Sequence, residues 1–162
     1  MKVTKNKLEK LNACTAGITW FENQKDHSLV ALVKAAIKDG KHTMDFANWG
    51  IVRLMTHKQK IQYVCYAARQ VLKIYEDKYP NDDRPRKTIE AAEKCIKEPT
   101  ETNRRVAARA AYAAASAADA ADAAAYAAAS AADAADAAAD AARVRMMAKI
   151  LRYGVKILIG GK

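Results

Sequence analysis

Asp82 and Asp83, set in the run Pro80-Asn81-Asp82-Asp83-Arg84-Pro85, form the place in this chain where reactive side chains crowd closest together. Two neighbouring carboxylates can act as acid and base or hold a cation, and Arg84 and Arg86 beside them could pair with them. The same run also suits a turn between helices, because proline stops a helix and Asn and Asp bond back to nearby backbone. Asn81, Asp82, Asp83 and Arg84 are therefore read as a polar turn with capping carboxylates, available to a partner rather than to a reaction. The three histidines, His27, His42 and His57, stand fifteen residues apart, and with Cys14, Cys65 and Cys95 they form no CxxC or HxxxH pair. That spacing gives no metal site. Neither a glycine-rich phosphate loop nor a GxSxG elbow is present. The sequence assigns no catalytic residue, no metal and no cofactor, and the expectation is a protein that is not an enzyme.

The elements that must carry these groups read as helices. Leu8, Leu11, Thr15, Ile18 and Phe21 recur at helical spacing and predict a first helix over about 5–23. Ser28 is suited to cap a second helix bearing Val30, Val33, Ala36 and Ile37, stopped at Asp39-Gly40. A third is expected over Met44–Met55, with Trp49 among its apolar residues. Trp49, next to Asn48 and with Arg53 one turn on, is either core or an exposed interface anchor. Thr56 can cap the next helix, His57–Tyr79, whose apolar stripe reads Ile61, Val64, Cys65, Ala68, Val71, Leu72 and Tyr75. After the Pro80–Pro85 break a fifth helix is expected over about 86–97, with Ile89, Ala92 and Ile96 inward. Glu98-Pro99 ends it, and Thr100 or Thr102 can cap a sixth.

From there to Gly154 no proline or glycine occurs, so helix is predicted to about Tyr153. Within it YAAASAADAADAAA occurs twice, at 112–125 and 126–139. Residues 112–142 hold 22 Ala, 5 Asp, 2 Ser and 2 Tyr, a composition that favours helix above any other state. At ~100° per residue, Tyr112, Asp119, Asp122, Tyr126, Asp133, Asp136 and Asp140 project from one side and alanine alone covers the other. The alanine face permits close helix packing, and the polar edge faces water, a partner, or the basic part of the same chain. The tract is expected as one long helix or as a helical hairpin. The expected architecture is all-α, a single helical domain over 1–162: amphipathic helices over 1–99, the alanine-rich helical tract over 100–153 and a basic apolar tail over 154–162.

Charge and composition bound the function. The net charge is +10. Residues 1–111 carry 22 bases against 13 acids, the tract 112–142 five acids and no base, and 143–162 six bases and no acid. Lys58, Lys60, Arg69, Lys73, Arg104, Arg105 and Arg109 could form a face that follows phosphates, although few aromatics are interleaved. The final basic apolar run can touch a membrane surface or, more simply, dock on the core. Residues 1–10 have four lysines and no apolar run, which predicts no export signal. Three widely spaced cysteines fit reduced thiols, so a cytoplasmic location without a membrane span is expected.

LNACTAGITWF at 11–21 and FANWGIVRLMTHKQKIQYVCYAARQVLKIYEDKYPNDDRPRKTIEAAE at 46–93, followed by the Ala/Tyr/Asp-rich stretch, resemble the immunity proteins of the fifth polymorphic-toxin class, found in bacteria and their phages. The resemblance implies an all-helical, non-enzymatic protein that neutralises or sequesters a bacterial protein: a toxin, a nuclease or a defence component. A nucleic-acid-associated protein working through its basic body is the second reading.

Overall fold

The structure, a computed structural model, describes residues 1–105 and 136–160, with only the backbone described for 136–140. The protein is all-α, and among the described residues no strand occurs. Its helices are α1 (Lys5–Lys10), α2 (Thr15–Glu22), α3 (Leu29–Asp39), α4 (Lys41–Leu54), α5 (His57–Lys78), α6 (Arg84–Lys97) and the long C-terminal α7 (Asp136–Gly160). Residues 101–105 form a further helical turn, capped by Thr100, whose Oγ1 accepts the Asn103 N–H at 3.2 Å. The chain groups into two compact units, one of Met1–Tyr63 with Ala141–Lys162 and the other of Val64–Asp140. Most of the duplicated tract, including Tyr112, Asp119, Asp122, Tyr126 and Asp133, lies outside the described residues.

In the first unit the expected opening helix is two helices. Asn12 adopts a left-handed backbone at φ 61°, a conformation Asn tolerates better than most residues. Cys14 then caps α2, its Sγ accepting the Gly17 N–H at 3.4 Å. Ser28 caps α3 as predicted, accepting the Ala31 N–H at 3.3 Å, and Asp26 holds Ser28 in turn through the Ser28 N–H at 2.7 Å. Gly40 ends α3 at φ 107° and also begins α4, so α4 starts at Lys41, three residues before the expected Met44. Thr56 and Gln59 form a reciprocal capping box: the Thr56 N–H donates to Gln59 Oε1 at 2.9 Å and the Gln59 N–H to Thr56 Oγ1 at 3.3 Å.

The core of this unit joins Val3, Leu8, Phe21, Leu29, Leu32, Val33, Met44, Ile51, Met55, Tyr63 and Leu151. The N-terminal strap is tied on by Val3 N–H to the His27 carbonyl at 2.9 Å and Leu29 N–H to the Met1 carbonyl at 3.0 Å. His27 stacks on Phe21 at 4.1 Å and donates from Nε2 to the Phe21 carbonyl at 3.1 Å, which is a packing role. Leu151 from α7 is fully buried. The sequence predicts that helix ends near Tyr153, but α7 continues through Gly154 to Gly160. Gly154 is the point of closest approach: a Cβ there would stand 2.8 Å from both Ile51 Cγ2 and Tyr63 Cε2. No helix among the described residues is long and apolar enough to cross a membrane.

Candidate functional site

The second unit is organised around the turn between α5 and α6. Proline at the first turn of α6 fixes its start, as expected of a residue whose missing N–H is unused there. Asp82 holds the turn shut. Its Oδ2 accepts the Tyr75 hydroxyl at 2.7 Å and Arg84 Nη2 at 2.6 Å, while its Oδ1 accepts Arg84 Nε at 2.7 Å and the Arg84 N–H at 3.1 Å. The Arg84 guanidinium, and after it the Tyr75 hydroxyl, keeps the Asp82 carboxyl well below the usual carboxylate range. Asp83 pairs instead with Lys87 at 2.7 Å, one helical turn on. The two carboxylates therefore have separate cations, Arg84 for Asp82 and Lys87 for Asp83.

Two bidentate bridges run between α5 and α6. Arg69 donates through Nε and Nη2 to the two oxygens of Glu93, each at 2.7 Å. Arg86 does the same to Glu76, again at 2.7 Å twice. Between the bridges the partner moves seven residues along α5 and seven residues back along α6, which is the register of an antiparallel hairpin. The Arg69 guanidinium, through its hydrogen bonds, lowers the Glu93 pKa, so that pair stays charged. Lys73 and Asp77 add an i,i+4 pair at 2.9 Å on α5. Cys65, Leu72 and Ile89 are buried in this unit, and burial pushes the Cys65 thiol up, leaving it protonated. The charged groups of the hairpin thus hold one another in place.

The predicted apolar stripe of α5 divides. Cys65 and Leu72 are buried, but Val64 is 62% exposed and Val71 48%. Ile74, which the predicted stripe omits, is 65% exposed. At ~100° per residue these three lie on a common side of α5, turned well away from the side that carries Arg69 and Glu76 toward α6. A row of large aliphatics in water, on the side of α5 opposite the bridges to α6, has the make-up of an interface centre.

Of the other expected contact residues, Asn81 and Asp83 are exposed at the tip and Asp82 is spent on the turn. Trp49 belongs to the first unit, is half-buried, and has the Arg53 guanidinium 5.5 Å above its ring. With Trp20, Phe21 and Phe46 it walls an apolar cavity of about 350 Å³. Asp136 and Asp140 sit in the first turns of α7, where only backbone is described. Among the described residues no group of three or more His, Cys, Asp or Glu is placed to hold a metal ion.

The Arg69–Glu93 and Arg86–Glu76 bridges and the Val64/Val71/Ile74 row are absent from the sequence-level site. The bridges had a signal, since opposite charges recur at mirrored distances from the turn. The row had none, because an apolar helix position reads alike whether it faces core or water.

A family model described as "Imm-5 like putative immunity protein" matches residues 50–152, more than half of the chain. The match takes in α5, the turn and α6. No curated protein and no solved structure matches the chain.

Proposed function

The chain belongs to the Imm-5-like immunity protein family, and from that premise we propose that it neutralises a bacterial toxin, nuclease or defence protein by binding it. The membership itself supports an immunity-type, protein-binding role. The contact we propose is centred on Val64, Val71 and Ile74 of α5, with Asn81 and Asp83 at the hairpin tip as its polar margin. One observation carries this assignment: the family match covers the hairpin, and on that hairpin the large aliphatics face water while the charges are cross-braced. Bracing of this kind presents a rigid surface, which lowers the ordering cost of association. The Asp edge of the duplicated tract, from Asp119 to Asp140, is a second candidate contact on charge alone.

The test couples capture to neutralisation. Full-length protein is immobilised against bacterial lysate at low salt, captured proteins are identified, and each is co-expressed with this chain to score relief of toxicity. The expected result is one captured protein whose toxicity is relieved by the native chain and not by a Val64→Asp/Ile74→Asp variant that retains its helical circular dichroism. Relief that persists in that variant places the contact elsewhere, and absence of any relieved toxin refutes the immunity reading.

A further inference from the structure

We propose that the solvent face of α7 is a binding surface for the phosphate backbone of duplex nucleic acid, read through charge and not through base sequence. Arg145, Lys149, Arg152 and Lys156 follow one another at i, i+4, i+7 and i+11, which places all four on one face of the helix. All four are exposed, and none makes an ion pair with a described residue. The opposite face of α7 is anchored, with Ala148, Leu151 and Gly154 buried, so the row has a fixed orientation on its unit. Lys58 lines a shallow groove of mixed polarity together with Lys156, Gln59, Gln62, Tyr153 and Ile157, which extends the cationic surface beyond the helix.

The distribution of charge separates this row from an ordinary solvated face. The unit that contains it has 17 bases against 5 acids, whereas the unit of Val64–Asp140 has 11 against 13. In that second unit Arg69, Arg84 and Arg86 each hold a carboxylate bidentately. On α7, by contrast, no acidic residue follows Asp140, so Arg145, Lys149, Arg152 and Lys156 have no carboxylate in the stretch of helix they occupy. A protein interface needs an apolar or aromatic centre, and between Arg145 and Lys156 no large hydrophobic residue is exposed. A phosphate backbone needs no such centre. The row rises ~16 Å along the helix, and a comparable length of duplex axis carries about five phosphates per strand.

The probe is a fluorescein-labelled mixed-sequence duplex of about two helical turns, titrated with the full chain by anisotropy from about 50 to 200 mM salt. Four phosphate contacts predict a log–log slope of about −3.6, a roughly 150-fold loss of affinity over that fourfold range. A Lys149→Gln/Arg152→Gln variant should halve the slope to about −1.8, leaving a loss of roughly 12-fold. Lys34→Gln/Lys38→Gln, which removes two exposed cations of the same unit from α3, should leave the slope unchanged. Absence of duplex binding at the lowest salt overturns the proposal, as does an equal effect of the α3 and α7 variants, which would mean diffuse charge only. Poly-L-glutamate in a parallel titration separates the alternative: binding to it with the duplex excluded also overturns the proposal, in favour of an acidic protein surface. All replaced side chains are exposed, and unchanged circular dichroism verifies that the variants fold.

Discussion

Replacing Gly154 by alanine sets two known effects against each other inside one helix. Alanine is favoured over glycine in a helix interior by about 0.8–1.0 kcal/mol, and Gly154 lies well inside the 25-residue α7. Against that, the new Cβ would stand 2.8 Å from Ile51 Cγ2, 2.8 Å from Tyr63 Cε2 and 3.3 Å from Tyr63 Cδ2. Neither neighbour can retreat freely. Ile51 is 1% exposed, and Tyr63 is 4% exposed and tethered by its hydroxyl, which donates to Asn48 Oδ1 at 2.7 Å. Overpacking of this kind costs typically about 1–3 kcal/mol, so Gly154→Ala should be destabilising by up to about 2 kcal/mol. Gly50→Ala in α4 is the internal control, because a Cβ there meets nothing within 4 Å. It keeps the propensity gain without the clash and should stabilise by up to about 1 kcal/mol. The separation of about 1–3 kcal/mol between the two variants corresponds to Tm values differing by several degrees. Both tryptophans, Trp20 and Trp49, lie in the same unit as Gly154, so tryptophan fluorescence during urea or thermal unfolding follows the relevant transition. A Gly154→Ala protein as stable as Gly50→Ala would refute the close approach of α7 to Ile51 and Tyr63.

Leu151 is fully buried, and Leu151→Ala should cost about 2–5 kcal/mol, measured by the same unfolding transition. Tyr63→Phe should cost about 1 kcal/mol, since Asn48 Oδ1 loses its donor. Burial pushes the Tyr63 phenol up to about 12 from 10.0. Its neutral form is therefore favoured in the folded state: the contribution is complete below about pH 10 and is lost as pH rises through 12. Difference titration of phenolate absorbance between the native chain and Tyr63→Phe should show one tyrosine ionising late. Asp82 has the opposite sign, since Arg84 and Tyr75 lower its pKa; its contribution is present above the ordinary carboxylate range and lost only in strong acid. Asp82→Asn should therefore loosen the α5–α6 turn at neutral pH, seen as faster amide exchange of residues 79–86.

The parts of this fold legible in the sequence are those set by local chemistry. Ser28 before an apolar periodicity, Asp39-Gly40 after it, and Thr56 three residues ahead of Gln59 each satisfy orphan backbone groups within a turn, so helix ends could be read there. The break at Leu11–Cys14 escaped because its apolar spacing runs through it, while the left-handed Asn12 and the thiol cap Cys14 are both weak signals. Gly154 escaped for the reverse reason. Glycine marks a helix end by propensity, yet here the missing side chain admits Ile51 and Tyr63, which a one-dimensional reading cannot place. The candidate site divided likewise. The turn at Asn81–Arg84 was legible as a turn; that Asp82 fastens it internally to Tyr75 and Arg84 was not.

The charge of the whole chain misleads in the same way, because a net of +10 describes neither part of the molecule. Bases exceed acids by twelve in the unit of Met1–Tyr63 and Ala141–Lys162, while acids exceed bases by two in Val64–Asp140. A uniformly basic protein would weaken its grip on any anionic partner in proportion to total charge, and no single pair of substitutions would stand out. A segregated one has a basic row on α7 beyond its last acid, Asp140, and a hairpin braced by paired charges on one side with exposed aliphatics on the other. The two surfaces should then answer to salt differently: association through Val64, Val71 and Ile74 rests on apolar burial and should change little from about 50 to 200 mM, whereas association through α7 should collapse. Salt dependence measured on whichever partner is captured therefore identifies the surface that holds it, before any residue is changed.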